Sequence, residues 1–287
     1  MSFKIAPVWI VLTLMTLGRN AIGAEFTPPV TVLIAAGPFS MGSSLEERNA
    51  AHTLDETAYG HDVTRKGRWY ASESAPHTVT TKSFQITRTP ITNADYAQFI
   101  VETSHPPPTV DAKTWAGYGL NHPFKTVQRH TWINGAPPPG RELHPVVLVA
   151  HADGVAYAQW LSAKTKQTWH LPSEIQWEKA MRGPDGRRFP WGNTFDPTAL
   201  NSHDNGPFDT LPVGRFVKGA SPYGVLDGAG QVFEWTADSP QKDRFIVKGG
   251  SWDDQGCGVC RPAARHTRPA NLKHILIGFR LVREVRR

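Results

Sequence analysis

Cysteine is scarce in this sequence, which contains only Cys257 and Cys260. Two cysteines cannot supply the four thiolates of an all-cysteine zinc site. Their C-x-x-C spacing leaves three roles open: a redox dithiol, half of a mixed metal site that His266 and His274 would complete, or a structural disulfide.

Long hydrophobic runs are also lacking. The apolar run Ile5–Leu17 follows Lys4 and is about 13 residues long, which is too short to span a bilayer. Small residues then lead up to Ala24, so residues 1–24 are predicted to be a secretory signal peptide, with an uncleaved anchor as the alternative. Export would place the protein in the periplasm, an oxidising compartment, with no stable membrane span once the signal is removed.

Blocks of like charge and nucleic-acid-binding motifs are absent too. The formal net charge of +6 is spread along the chain, so we expect no nucleic-acid partner. The length allows one large domain or two small ones. Neither an internal repeat nor a low-complexity linker divides the chain, and residues 25–287 are therefore predicted to form one domain that acts on a peptide or a small molecule. The sequence does not predict an oligomeric state.

Tryptophan, proline and glycine are abundant, with 10, 24 and 25 residues respectively. This composition predicts a loop-rich fold with aromatic packing or an aromatic-walled pocket. Periodicity predicts strands at Val30–Ala35, Val79–Ile86, Val146–Val149 and Ile277–Val282, and helices beginning at Thr92 or Asn93, over Ala152–Lys164 and after Ser173. The last helix has the clearest signal, because Ser173 and Gln176 fit a capping box and Gly183 ends it.

Two segments show no regular pattern. Residues 44–75 are polar and without a period, and we predict an irregular surface excursion there. Residues 103–143 combine proline and glycine with several aromatic side chains. A connection of this length predicts either a wall of a pocket or a packed surface loop.

An ordered series of motifs resembles the formylglycine-generating, or sulfatase-modifying factor, superfamily. The motifs include FSMGS (39–43), TPITNADYAQF (89–99), LPSEIQWEKAMRG (171–183), ASPYGVLDGAGQVFEWT (220–236), KGGSW (248–252), CRPAAR (260–265) and IGFRLV (277–282). The resemblance covers nearly the whole predicted domain. It implies a single-domain α+β fold, a formylglycine-generating-enzyme-like fold related to C-type lectins, with little regular secondary structure.

The superfamily contains several chemistries. Some members oxidise a sulfatase cysteine with copper and oxygen, others join sulfur to histidine derivatives with iron, and a periplasmic branch oxidises a siderophore precursor during pyoverdine maturation. The copper-dependent members carry two cysteines, with four residues between them, after the GGS turn. An ungapped match places Asp254 at the first of them, so the copper pair is not reproduced here.

The resemblance is therefore greatest to the pyoverdine-maturation branch, which implies an oxidoreductase acting on a peptide or a siderophore precursor. The catalytic residues predicted in this chain are Ser251, Asp254, Cys257 and Cys260. Two alternatives remain: a formylglycine-generating oxidase that uses copper, and a non-catalytic, lectin-like binding module.

The resemblance also implies two structural calcium sites. The first would use Asp227, the carbonyls of Gly230 and Val232, and Glu234. The second would use Asn201, the carbonyl of Ser202, Asn205 and the carbonyl of Pro207. Carboxylate, amide and carbonyl oxygens in a tight loop are the ligands that calcium prefers.

Overall fold

The computed structural model describes residues 26–285, so the predicted signal peptide over residues 1–24 lies outside the described residues. In this range the α-helices are α1 (Leu45–Tyr59), α2 (Val63–Lys66), α3 (Asn93–Thr103), α4 (Ala112–Gly117), α5 (Phe124–Gln128), α6 (His151–Thr165) and α7 (Glu174–Arg182). The strands are β1 (Thr31–Ile34), β2 (Gly37–Met41), β3 (His77–Thr81), β4 (Phe84–Thr87), β5 (Trp169–His170), β6 (Phe233–Trp235), β7 (Arg244–Lys248), β8 (His266–Pro269), β9 (Ile277–Gly278) and β10 (Val282–Glu284). These short elements and the irregular segments between them confirm the predicted α+β fold.

The strands form three small sheets. The first has the antiparallel order β1-β4-β10-β5, and the second pairs β2 with β3. The third has the order β8-β7-β6-β9, in which only β6 and β9 are parallel. Because β7 ends at Lys248, directly before the GGSW turn, the third sheet positions the segment predicted to be catalytic.

Aromatic side chains fill the core between α3 and α6. The ring centroid of Tyr96 lies 5.5 Å from that of Tyr157, 5.1 Å from that of Phe99 and 6.2 Å from that of Phe279. All four side chains are buried, and burial of each contributes about 1.5–3 kcal/mol. The aromatic packing predicted from the composition is therefore found in the core of this loop-rich fold.

The prediction that residues 44–75 form an irregular surface excursion is wrong. The segment contains α1 and α2, and Ser44 caps α1 by accepting a hydrogen bond from the backbone N–H of Glu47. The buried face of α1 includes Glu47, Ala51 and Asp55 at intervals of four residues. Two of these three side chains are carboxylates. The hydrophobic residues of α1 therefore do not repeat at a helical period, and the hydrophobic pattern did not reveal the helix.

Three predicted strands also need correction. The predicted strand Val79–Ile86 is divided between β3 and β4, which belong to different sheets. The predicted strand Ile277–Val282 is likewise divided between β9 and β10. Val146–Val149 is buried but is not a strand, because Leu148 has a φ of +60°, which interrupts extended backbone. The strand predicted at Val30–Ala35 is confirmed as β1.

The predicted helices are confirmed. α3 begins after Thr92, α6 matches the predicted range, and α7 has the capping box of Ser173 and Gln176. Within residues 26–285, none of the helices has the length and apolar character needed to cross a membrane.

Candidate functional site

The turn that follows β7 brings the predicted catalytic segment against the second cysteine. Gly249 and Gly250 have φ angles of +101° and +71°, in the region that favours glycine. A Cβ atom on Gly250 would also collide with the sulfur of Cys260. The close approach of the turn to the C-x-x-C segment therefore requires glycine at this position.

Ser251 and Asp254 form a hydrogen-bonded pair at the end of this turn. The hydroxyl of Ser251 donates to Oδ2 of Asp254 over 2.7 Å, and the backbone N–H of Ser251 donates to the same oxygen over 2.8 Å. Ser251 is fully buried. The structure thus brings together two of the four predicted catalytic residues and fixes the orientation of the carboxyl group.

The surroundings of Asp254 favour its protonated form. Although the residue as a whole keeps some exposure, its carboxyl group is enclosed by protein, and this burial raises the pKa of Asp254 to about 6. The hydrogen bonds from Ser251 oppose that rise, the charge of Asp253 adds to it, and the charge of Arg268 opposes it. A carboxyl group that titrates near pH 6 can act as a general acid or base close to neutrality.

Two residues of the segment 103–143 contact the side chains next to Asp254. Nε2 of His122 lies 3.1 Å from the carboxylate of Asp253, and the rings of His122 and Trp252 are 5.6 Å apart. The guanidinium of Arg129 lies 5.6 Å from the centre of the Trp252 ring. Trp252 is buried, and within the described part of the chain its indole N–H has no hydrogen-bond partner. The segment 103–143 therefore contributes to the wall of the site, and the histidine it supplies was not predicted.

The two cysteines are joined in a buried disulfide. Their segment packs against α1, where the backbone N–H of Gly258 donates to the carboxylate of Asp55 over 2.8 Å. Neither sulfur is available as a thiolate, so of the three roles left open by the C-x-x-C spacing the structural disulfide fits. Copper(I) is selected by soft thiolate ligands, and the disulfide-bonded sulfurs do not fit it. Among residues 26–285, no cluster of three or more His, Cys, Asp or Glu side chains is placed to hold a metal ion.

A buried network of ion pairs, absent from the sequence prediction, ties α1 to the cysteine segment. Arg261 pairs with Glu73 over 2.6 Å and with Glu47 over 3.3 Å, and its Nε donates to the carbonyl of Gly258 over 2.9 Å. Glu47 pairs in turn with Arg182 over 2.9 Å. All four charged side chains are buried. Because an unpaired buried charge is strongly destabilising, this network fixes the position of α1 relative to the site.

The ion-pair network extends to the strand that precedes the GGSW turn. Nζ of Lys248 lies 3.1 Å from Glu178 and 3.3 Å from Glu174, both on α7. Lys248 is the last residue of β7 and is only 1% exposed. The base of the turn is therefore held by charge pairs as well as by the sheet.

Two of the four oxygens predicted for the second calcium set, those of Asn201 and Ser202, lie close together. Asn201 and Ser202 are buried, and in the described structure the side-chain oxygen of Asn201 accepts no hydrogen bond. A Cβ atom on Gly206 would collide with both this oxygen and the carbonyl oxygen of Ser202, so the two oxygens face the same small space. Asn205 and Pro207 flank that glycine in the same turn. Converging oxygens around an unpartnered buried acceptor suit a hard cation such as calcium.

The first predicted calcium set does not fit. Both oxygens of Glu234 accept hydrogen bonds from Arg280 over 2.6 Å, and the same guanidinium donates to the carbonyls of Leu226 and Asp227. Arg280 therefore supplies the positive charge that the sequence prediction assigned to an ion. The other residues of this set, Gly230 and Val232, lie in the buried segment between Asp227 and Glu234, and we place no calcium there.

Comparison with known proteins identifies the family. The profile of the sulfatase-modifying factor enzyme 1-like domain matches residues 20–285. The formylglycine-generating enzyme of Mycobacterium tuberculosis is 30% identical over 283 residues, which cover 75% of this chain and 92% of that protein. The hercynine oxygenase of Mycolicibacterium smegmatis is 29% identical over 296 residues, which cover 89% of this chain and only 61% of that longer protein.

A solved structure confirms the fold. The structure of PvdO from Pseudomonas aeruginosa superimposes with a TM-score of 0.68 at 24% sequence identity, covering 90% of this chain and 95% of that one. At this identity the likeness concerns the fold, while the profile match spans nearly all of the chain. The protein belongs to the sulfatase-modifying factor enzyme 1-like, or formylglycine-generating enzyme, family.

Proposed function

We propose that the protein is an exported, periplasmic oxidoreductase that oxidises a peptide or a siderophore precursor with dioxygen, as in pyoverdine chromophore maturation. The family supports an oxidoreductase-type role, because the relatives reported above include a formylglycine-generating enzyme and an oxygenase. The fold of PvdO supports the choice of branch. The substrate class is our inference.

The observation that carries the proposal is the pairing of Ser251 with Asp254. The carboxyl group is enclosed by protein, is oriented by two hydrogen bonds to one oxygen and has a pKa raised to about 6 by burial. Perturbed carboxyl groups of this kind are candidates for proton transfer.

The chemistry assigned to the pair is proton transfer during a two-electron oxidation. The substrate loses two electrons and two protons, and dioxygen takes up two electrons and two protons, the protons exchanged through solvent, to give hydrogen peroxide. Asp254 takes up one of the protons and releases it to solvent, while Ser251 keeps the carboxylate oriented. The unpartnered indole N–H of Trp252 is available to donate a hydrogen bond to a carbonyl group of the substrate, since buried donors are costly when unpaired.

The disulfide separates this proposal from the formylglycine-generating alternative. The copper-dependent members of the family that the motifs resemble need two free thiolates to bind copper. In this protein the sulfurs of Cys257 and Cys260 are joined to each other in a disulfide. We assign Cys257 and Cys260 a structural role in holding the catalytic turn. The other alternative, a lectin-like binding module, would give no turnover of either substrate in the experiment below.

The test is an oxidation assay with the protein isolated from the periplasm of an expressing bacterium. The substrate is a siderophore precursor peptide, the readouts are oxygen consumption and the loss of two hydrogen atoms in the product by mass spectrometry, and a sulfatase-motif cysteine peptide serves as the comparison substrate. We expect turnover of the siderophore precursor, a reduced rate near neutral pH in Ser251→Ala and a larger reduction in Asp254→Asn.

Two matched controls replace the same residue types on the exposed surface. Ser239 and Asp243 lie outside the site, in an exposed loop before β7. The variants Ser239→Ala and Asp243→Asn should therefore keep full turnover. Full activity in Ser251→Ala and Asp254→Asn would refute the assignment of the pair. Oxidation of the cysteine peptide by copper-loaded protein with two titratable thiols would refute the choice of branch.

A further inference from the structure

A cavity lies between α1, α2 and the turn that follows α2. It has a volume of about 320 Å³ and is lined by Leu45, Arg48, Asn49, His52, Arg65, Arg68, Tyr70 and Ala71. Three of these eight residues are arginines and none is acidic. The lining shares no residue with the Ser251–Asp254 site, so a ligand of the cavity would not be bound by the proposed catalytic pair.

Arg48 lines this cavity and has an unused donor. One of its terminal nitrogens, Nη1, donates to the carbonyl of Glu73 over 3.2 Å. Its Nε is buried, and within residues 26–285 it has no hydrogen-bond partner. The Nε edge of a guanidinium is one of the faces that binds an oxyanion through two parallel hydrogen bonds. A buried guanidinium nitrogen without an acceptor is costly, so a turn of the Arg48 side chain that lets an oxyanion in the cavity accept from Nε would remove this cost.

Of the other two arginines, one already pairs with a carboxylate and the other does not. Arg65 donates from Nε and Nη2 to the two carboxylate oxygens of Glu56 over 2.6 and 3.1 Å, and from Nη1 to Asn49. Arg68 is exposed at the rim and makes no ion pair with the residues that the structure describes. The cavity therefore keeps two cationic side chains, Arg48 and Arg68, without a carboxylate partner among those residues.

Aromatic rings form the inner wall. The rings of His52 and Tyr70 are 4.6 Å apart, and Nδ1 of His52 lies 3.0 Å from the hydroxyl of Thr64. Burial and the charge of Arg65 lower the pKa of His52, so this ring is neutral near pH 7 and offers an apolar face. Tyr70 is only 1% exposed, and the guanidinium of Arg261 lies 4.8 Å from the centre of its ring. The ring therefore closes the cavity from behind, and the arginines are the part of the lining that would bind a ligand.

We propose that this cavity is a binding site for a small molecule that carries an oxyanion group, namely a phosphate, a sulfate or a carboxylate. The site also has a route to the candidate catalytic turn. The hydroxyl of Tyr70 donates to Asp55, whose other carboxylate oxygen accepts the backbone N–H of Gly258 between the two cysteines. Tyr70, which lines the cavity, is therefore linked through Asp55 to the cysteine segment.

The experiment is isothermal titration calorimetry with inorganic phosphate, sulfate and acetate, which distinguishes the three oxyanion types. The proteins are the full exported chain and its Arg48→Gln and Arg68→Gln variants. We expect one site per chain and affinity reduced about tenfold in each variant, the loss typical of one charge-assisted hydrogen bond. Arg188→Gln, which removes an arginine from the opposite side of α1, is the matched control and should bind as the unmodified chain does.

If Arg48→Gln proves unstable, Arg68→Gln still tests the proposal. Arg48 is part of the packed wall, whereas Arg68 is exposed and makes no ion pair within the described residues, so Arg68→Gln should fold normally. The absence of heat from all three anions at millimolar concentration would overturn the proposal. Binding that is unchanged in Arg68→Gln and in a folded Arg48→Gln protein would overturn it as well.

Discussion

Ser251 donates both its hydroxyl and its backbone N–H to the same carboxylate oxygen of Asp254. The serine thus helps to set the protonation state of the carboxyl group as well as its orientation. These hydrogen bonds lower the pKa of Asp254, against the larger effect of burial, which raises it. Changes to the two residues should therefore have different effects on the pH profile.

For Asp254, we expect kcat/KM of the proposed oxidation to rise with pH and to level off above about 6, because the base form is required. Asp254→Asn should abolish this dependence and reduce kcat/KM by about 10²- to 10⁴-fold, the usual contribution of a general base. The measurement is the pH dependence of initial rates with the siderophore precursor peptide. An unchanged acidic limb in Asp254→Asn would assign the titration to another group.

For Ser251, the prediction concerns the position of the same limb. Ser251→Ala removes the hydroxyl donor and keeps the backbone one, so the pKa of Asp254 should rise and the acidic limb of kcat/KM should move to higher pH. A purely structural serine would lower activity equally at all pH values. The Ser239→Ala control should leave the limb where it is.

The disulfide is expected to contribute stability and little catalysis. Closing a loop this short stabilises a protein by about 2 kcal/mol through the unfolded state. The Cys257→Ala/Cys260→Ala double variant should therefore lower the free energy of unfolding in urea by about that amount and keep the pH profile of turnover. A thiol reagent should label the native protein at neither cysteine and label both after reduction in urea. Labelling of two thiols in the native protein, together with bound copper, would contradict the structural role.

The sequence predicted those parts of the fold whose signal is local. The capping box of Ser173 identifies α7, and the helical spacing of Tyr96 and Phe99 identifies α3. Both signals depend on residues only a few positions apart in the sequence. α1 was missed because Glu47 and Asp55 occupy its buried face. Charged residues are buried only when partners elsewhere in the chain offset the desolvation cost, and those partners are far away in sequence.

The candidate site divides in the same way. Ser251, Asp254 and the two cysteines lie within ten residues of one another, so their proximity could be predicted. His122 lies 131 residues before Asp253, and Arg280 lies 46 residues after Glu234. In the second of these long-range pairs, Arg280 occupies the carboxylate predicted to bind calcium at the first site, and a motif of neighbouring residues carries no information about such a pair.

The buried charge network gives a prediction about stability. Arg261→Met leaves Glu73 and Glu47 with fewer buried partners, and removal of one member of a buried ion pair typically costs about 3–5 kcal/mol. Urea denaturation should show this loss. The matched control is Arg187→Met, which breaks the partly exposed pair with Asp185 and should cost less than about 1 kcal/mol. Equal losses in the two variants would mean that the buried network contributes no more than a surface pair.

Calcium binding at the second set should respond to the charge of one ligand. Asn205 supplies a neutral side-chain oxygen, and Asn205→Asp would add a negative charge beside the convergent oxygens of Asn201 and Ser202. Calcium affinity follows the number of charged ligands, so the variant should bind more tightly. The measurement is the rise in Tm with added calcium relative to a chelator, compared with Asn193→Asp as the control. A Tm insensitive to calcium in both the unmodified chain and Asn205→Asp would contradict the site.

The last prediction concerns Asp55, which links α1 to the cysteine segment. Burial raises the pKa of Asp55 to about 6 from an ordinary value of 3.8, although the hydrogen bonds from Tyr70 and Gly258 oppose the rise. The folded state therefore binds this proton more tightly than the unfolded state. Its contribution to stability is largest below about pH 4 and is lost as the pH rises through about 6, with an upper limit of about 3 kcal/mol at 1.36 kcal/mol per pKa unit.

Asp55→Asn cannot titrate, and its amide can still pair with Tyr70. Between pH 4 and pH 8, urea denaturation should therefore show a smaller fall, or a larger rise, in the free energy of unfolding for Asp55→Asn than for the unmodified chain. Tyr70→Phe should have the opposite effect, because it removes a hydrogen bond that lowers the pKa of Asp55. Both variants are compared with the unmodified chain at each pH, so the titration of all other groups cancels. Parallel curves for the three proteins would show that Asp55 has the same proton affinity in the folded and unfolded states.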